Sequence, residues 1–137
     1  MTPQVRVPVI KLRDVLLVPM REHLDDRAMI RLVDEVGERI ANDRAAGVII
    51  DVSGVDILDS FMTRTIRDLA LSARLMGAIT YLTGLQAAVA MTLVEMGLDV
   101  PGVRTTLNLD RALAEFERES ARRKLADVEI EESLLRG

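Results

Sequence analysis

The run Val48-Ile49-Ile50 constrains this chain more than any other three residues. It has no polar face, and it lies between two segments whose apolar residues recur at helical spacing. A strand without a polar face must be covered on both sides, as in a parallel sheet flanked by helices. Upstream, Met29, Leu32, Val33, Val36 and Ile40 share one helical face, with Asp25 or Asp26 placed to cap the start and Gly47 to stop the helix. Downstream, a helix beginning near Ser60 carries Met62, Ile66, Leu69, Ala73 and Met76 inward and ends at Gly77.

The rest of the chain repeats the alternation. Residues 7–12 and 15–20, around Arg13-Asp14, read as a β-hairpin. Residues 78–83 form the next strand, Thr83-Gly84 a turn, and residues 86–96 a third helix closed by Gly97. That helix is so rich in Met and Ala that it reads as buried nearly all round, either within one domain or against another subunit. Residues 103–107, after Pro101-Gly102, form a short edge strand, and a last helix begins at Asp110 with Leu109, Ala112, Leu113 and Phe116 inward. The order ββαβαβαβα predicts an α/β domain, a mixed sheet of about five strands with four helices. Its 137 residues suit one domain, assigned to residues 1–119. Residues 120–137 are a charged C-terminal extension, read as a helical extension or a solvated end.

Composition narrows the function. There is no cysteine, hence no disulfide framework or thiolate metal site, and a single histidine makes a poor basis for zinc. Net charge is −4 and aromatic content 2%, without the basic stripe and stacking aromatics of a nucleic-acid binder. The first residues lack the pattern of a signal peptide, and no apolar run approaches the ~20 residues of a membrane span. The expectation is a soluble, cytoplasmic protein that binds neither nucleic acid nor membrane and uses no cofactor or metal.

The chemistry concentrates in VIIDVSGVDILDSFMTRTI, where a buried strand leads through an acidic loop to a serine at a helix start. Two readings of Ser60 stand. It, or Asp59, can simply cap the helix, since Ser and Asp lead the N-cap ranking. Alternatively it is a phosphate acceptor. A phosphoryl group adds about −1.5 to −2 charges beside backbone N–H groups that tolerate an anion. Asp56 and Asp59, with Asp25 and Asp26 across the surface, would then make the local field strongly negative.

These blocks resemble the STAS domains of bacterial anti-sigma-factor antagonists, and among them the stressosome scaffolds of the RsbS type. The resemblance rests on PVIKLRDVLLVPM, on LDD at 24–26, on GVIIDVSGVDILDSF at 47–61 and on LMGAITYLTGLQAAVAMTLVEMGL at 75–98. It implies the STAS fold and a non-enzymatic scaffold with no catalytic residue. It also implies that Ser60 is phosphorylated by a switch serine kinase of the RsbT type and reset by a serine phosphatase. Such scaffolds assemble with RsbR-type STAS sensor proteins as homo- and hetero-oligomers, hold the kinase, and release it on phosphorylation. Because the chain opens on its first strand, it is expected to be the component without a sensor domain. Asp25, Asp26, Asp56, Asp59, Phe61, Thr83 and Gly84 are the expected switch-loop and partner-binding residues. The rival readings are a STAS module binding a small ligand such as a nucleotide or lipid, and an antagonist binding an anti-sigma kinase directly.

Two other constellations are weaker. Asp51 ends a buried strand, as a receiver's phosphorylated aspartate does, but the first strand ends Lys11-Leu12-Arg13 and no lysine lies between residues 78 and 109. Asp51 therefore reads as a cap for loop backbone groups. His23 with Ser60 and an aspartate would need a G-x-S-x-G elbow to read as a hydrolase triad, and none is present; His23 reads as a surface turn residue.

Overall fold

Strands β1 (Ile10–Leu12), β2 (Val15–Pro19), β3 (Gly47–Asp51), β4 (Ile79–Thr83) and β5 (Val103–Thr106) form one sheet in that spatial order. The computed structural model describes residues 7–21, 24–95 and 102–136. β1 is antiparallel to β2, and every later neighbour is parallel. Helices α1 (Asp26–Asp43), α2 (Ser60–Leu75), α3 (Ala87–Glu95) and α4 (Leu109–Arg136) connect or follow the strands.

The central run behaves as its composition requires. Alternate side chains point to opposite faces. Val48 and Ile50 join Leu16, Val18 and Leu82 in the larger core, together with Met29, Val36, Met62 and Ile66 of α1 and α2. Ile49 points the other way, to Val15, Ile79 and Tyr81, under Ala112 and Phe116 of α4. β3 and β4 are thus covered on both faces, which explains why neither alternates in sequence.

Four boundaries or burials differ from expectation. Gly47 does not stop α1. The helix ends at Asp43, and Arg44 takes the left-handed conformation (φ 52) with its N–H donating to the Ile40 carbonyl. Gly47 is instead a packing residue of β3, since a Cβ there would lie 2.8 Å from the ring of Phe116. Met76 is exposed rather than inward, because α2 stops at Leu75 and Gly77 (φ 90) turns the chain toward β4 before the helical phase can continue. α3 is not covered all round by the described residues. It reaches the larger core through Val89, with Leu85 and Leu93 half-buried, while Met91 and Val94 are exposed. Finally, α4 starts at Leu109, capped by Asn108, whose Oδ1 accepts from the Arg111 N–H at 3.0 Å. The charged extension is the second half of that helix, exposed from residue 121 to 136. The expected closure of α3 at Gly97, and Pro101, lie outside the described residues.

Candidate functional site

Parallel strands β2 and β3 each deliver their following helix from the same edge of the sheet, so the starts of α1 and α2 share that edge. The loop between β3 and α2 is held there from below. Val52, Val55 and Leu58 are buried in the larger core at intervals of three, leaving Asp56 and Ile57 outside; Ile57 is 69% exposed. The Val52 N–H donates to the Thr83 carbonyl at 2.9 Å, and the Met20 N–H to the Asp51 carbonyl at 2.8 Å. Asp51 does what its position suggested: Oδ1 accepts from the Ser53 N–H at 2.9 Å.

The start of α2 separates the two adjacent polar residues. Asp59 is the cap, its Oδ1 accepting from the Met62 N–H at 2.7 Å and its carbonyl accepting from the Thr63 hydroxyl at 2.9 Å. Ser60 is the first helical residue. Its side chain is exposed, and no hydrogen bond engages its hydroxyl among the described residues. The backbone N–H groups of the first turn have no partner within their helix. Asp59 already satisfies that of Met62, so the serine hydroxyl is not needed for capping.

The loop is also fastened to the β4–α3 turn, because β3 and β4 are neighbours in the sheet. Gln86 Nε2 donates to the Ser53 carbonyl at 3.0 Å and to Asp56 Oδ1 at 3.4 Å. Gly84 has φ 76, and a Cβ there would stand 2.7 Å from Ser53 Cβ and 2.8 Å from Asp51 Oδ1. The glycine is therefore required twice, by conformation and by the close approach of the two loops.

The remaining expected residues divide. Asp25 caps α1, accepting from the Ala28 N–H at 2.8 Å, and Asp26 is exposed beside it; neither bonds to the Ser60 loop. Phe61 is half-buried against the larger core. Thr83 is buried at the end of β4, and its carbonyl accepts from the Val52 N–H of the loop. Gln86 and Ile57 were not singled out as site residues. The loop's three-residue apolar spacing, which omits Ile57, is the signal that could have found the latter. His23 lies outside the described residues. Among the described residues there is no group of three or more His, Asp or Glu able to hold a metal ion, and no helix is long and apolar enough to cross a membrane.

A five-stranded mixed sheet in this order with four helices has a known counterpart. The STAS domain model matches residues 6–115. The chain belongs to the STAS family. The STAS match ends before the exposed half of α4. Among solved structures, RsbS from Moorella thermoacetica, in a variant carrying glutamate for a serine, is 35% identical. It matches over 85% of this chain and 99% of its own, with a TM-score of 0.75. A chain from the stressosome, described as a signal integration and transduction hub, is 36% identical over 82% of this chain and 98% of its own, with a TM-score of 0.73. The RsbT co-antagonist protein RsbRD of Bacillus subtilis is 27% identical over 115 residues, 83% of this chain and 41% of that protein. The chain thus spans about two fifths of the length of that relative.

Proposed function

We propose that this STAS protein is a non-enzymatic scaffold of a stressosome-type complex that holds a switch serine kinase and releases it when Ser60 is phosphorylated. The observation that carries the reading is the division of labour at the start of α2: Asp59 caps the helix, which leaves the exposed Ser60 hydroxyl without a structural task. A phosphoryl group there would add about −1.5 to −2 charges close to the exposed carboxylate of Asp56 and on the same sheet edge as Asp25 and Asp26. Partner binding that depends on surface potential responds strongly to such a change.

The likeness to RsbS over nearly the whole of that chain supports assembly with RsbR-type STAS proteins, and the name of RsbRD points to an RsbT-type kinase as the client. A dedicated serine phosphatase would reset the switch. Incubation with an RsbT-type kinase and ATP should add one phosphate, located on Ser60 by mass spectrometry. Modification elsewhere, with Ser60 untouched, would remove the basis of the reading. In pull-downs Ser60→Ala should keep the kinase and fail to release it on addition of ATP.

A further inference from the structure

The exposed half of α4 carries a pattern that the STAS fold does not use. Arg123 donates to the Gly77 carbonyl at 3.4 Å, and beyond it the helix makes no bond to the domain among the described residues. Residues 121–136 extend about 24 Å at ~1.5 Å per residue. Along this stretch Ala121, Leu125, Val128 and Leu135, with Glu132 between the last two, follow the alternating four- and three-residue steps of a coiled-coil seam. Leu125, Val128 and Leu135 are 64%, 51% and 88% exposed. The side of α4 that meets its own domain carries Ala112, Phe116 and Arg123, and it lies opposite the seam on the helical wheel. A second helix laid along the seam would therefore not meet the domain.

We propose that this seam pairs, in parallel, with the same helix of a second copy of the chain. The charges select both the occupant and its direction. With Leu125 and Glu132 at the a positions of the heptad and Val128 and Leu135 at d, the flanking g residues are Lys124 and Glu131 and the e residues Arg122, Glu129 and Arg136. In a parallel pair each g residue faces the e residue of the following heptad on the other strand. Lys124 of one copy then faces Glu129 of the other, and Glu131 faces Arg136, so both pairings are of opposite sign. The antiparallel arrangement that keeps Leu125, Val128 and Leu135 all in layers sets Glu129 against Glu129 and Arg122 against Arg136. None of Lys124, Glu129, Glu131 and Arg136 forms an ion pair among the described residues. The earlier g residue, Glu117, is instead paired with Arg13 at 3.0 Å, so the seam begins beyond it.

Two heptads form a short seam, and Glu132 meets its own copy in a polar layer, so the pairing is weak and depends on concentration. Sedimentation equilibrium on the full chain tests it. The wild type should associate as concentration rises, and Leu125→Ser combined with Val128→Ser should weaken association about tenfold or more. Glu132→Leu should strengthen it by a similar factor, while Ile130→Ser, on the far side of the helix, should leave it unchanged. The protein has no cysteine, so Leu135→Cys reports direction: oxidation should join two copies through residue 135. All these positions are exposed, and far-ultraviolet circular dichroism confirms that each variant stays folded. Association that ignores the Leu125 and Val128 changes, or a Glu132→Leu protein that stays monomeric at every concentration, would overturn the proposal. Failure of the residue 135 cross-link, with efficient cross-linking of a Leu125→Cys, Leu135→Cys double variant between those two positions, would overturn the parallel orientation.

Discussion

Asp59 and Ser60 are neighbours of similar helix-capping preference, yet one backbone step gives them different energetics. Asp59 has extended backbone angles (φ −80, ψ 173) that aim its carboxylate back at the Met62 N–H, whereas Ser60 is already helical and its hydroxyl turns outward. Removing the cap leaves a first-turn donor without its partner, which costs about 1 kcal/mol. Removing an exposed hydroxyl that bonds to nothing costs under about 0.5 kcal/mol. Urea unfolding should therefore find Asp59→Ala destabilised by about 1 kcal/mol and Ser60→Ala close to wild type. Equal losses for the two would mean that the serine has a structural role after all. Gly84 is the other residue with no freedom: alanine there would have to hold a positive φ while pressing on Ser53 and Asp51, a combination costing about 1–3 kcal/mol.

At the scale of elements, α4 and β5 are tied by a contact that titrates. Arg104 on β5 donates to Glu119 on α4 at 3.3 Å, and this bond holds the Glu119 carboxyl below the usual carboxylate range. Beneath it, burial pushes the Tyr81 phenol above its ordinary value, so it stays protonated. Because the Glu119 pKa is depressed on folding, the pair stabilises the fold above the unfolded carboxylate value of about 4.3. That contribution disappears as pH falls through the lower folded value. Arg104→Gln should lower the melting temperature at pH ~7, and the gap to wild type should narrow as pH falls below the unfolded carboxylate value; a gap independent of pH would assign the arginine a packing role instead. The elements that this pair joins were legible because strands covered on both faces carry unbroken apolar runs and helices carry a 3.6-residue stripe. Less legible was how elements end. Arg44 closes α1 in a left-handed conformation for which glycine is the usual signal, so the nearest glycine, Gly47, drew the boundary away from it. The same limit applies to the site. Ser60 was visible as a polar residue at a helix start, but its release from capping depends on which of two adjacent side chains faces the helix. Only coordinates show that. Gln86 reaches the loop across a strand pairing, and no local pattern encodes that contact.

For the whole molecule, the anchoring of the 52–58 loop bears on how a phosphate at Ser60 could act. Val52, Val55 and Leu58 are sunk in the larger core, the Asp51 carbonyl accepts from the Met20 N–H after β2, the Val52 N–H donates to Thr83 of β4, and Gln86 holds the Ser53 carbonyl. Moving such a loop means extracting three apolar side chains, each worth about 1.5–3 kcal/mol of burial. A few charge–charge terms at an exposed helix start, in high dielectric, are too small for that. The proposed switch is therefore expected to work by changing potential at a fixed surface. On a chain of net charge −4 the added negative charge falls on an edge that already presents Asp25, Asp26 and Asp56. Ser60→Asp supplies less charge than phosphate and should weaken kinase binding in the same direction. Its penalty should shrink as salt rises, because the screening length falls from about 10 Å at 0.1 M to about 3 Å at 1 M. Amide chemical shifts of the variant should change around Ser60 and stay fixed in β3, β4 and the Gly84 turn. A penalty insensitive to salt, together with shifts spreading into those strands, would replace the electrostatic switch with a conformational one.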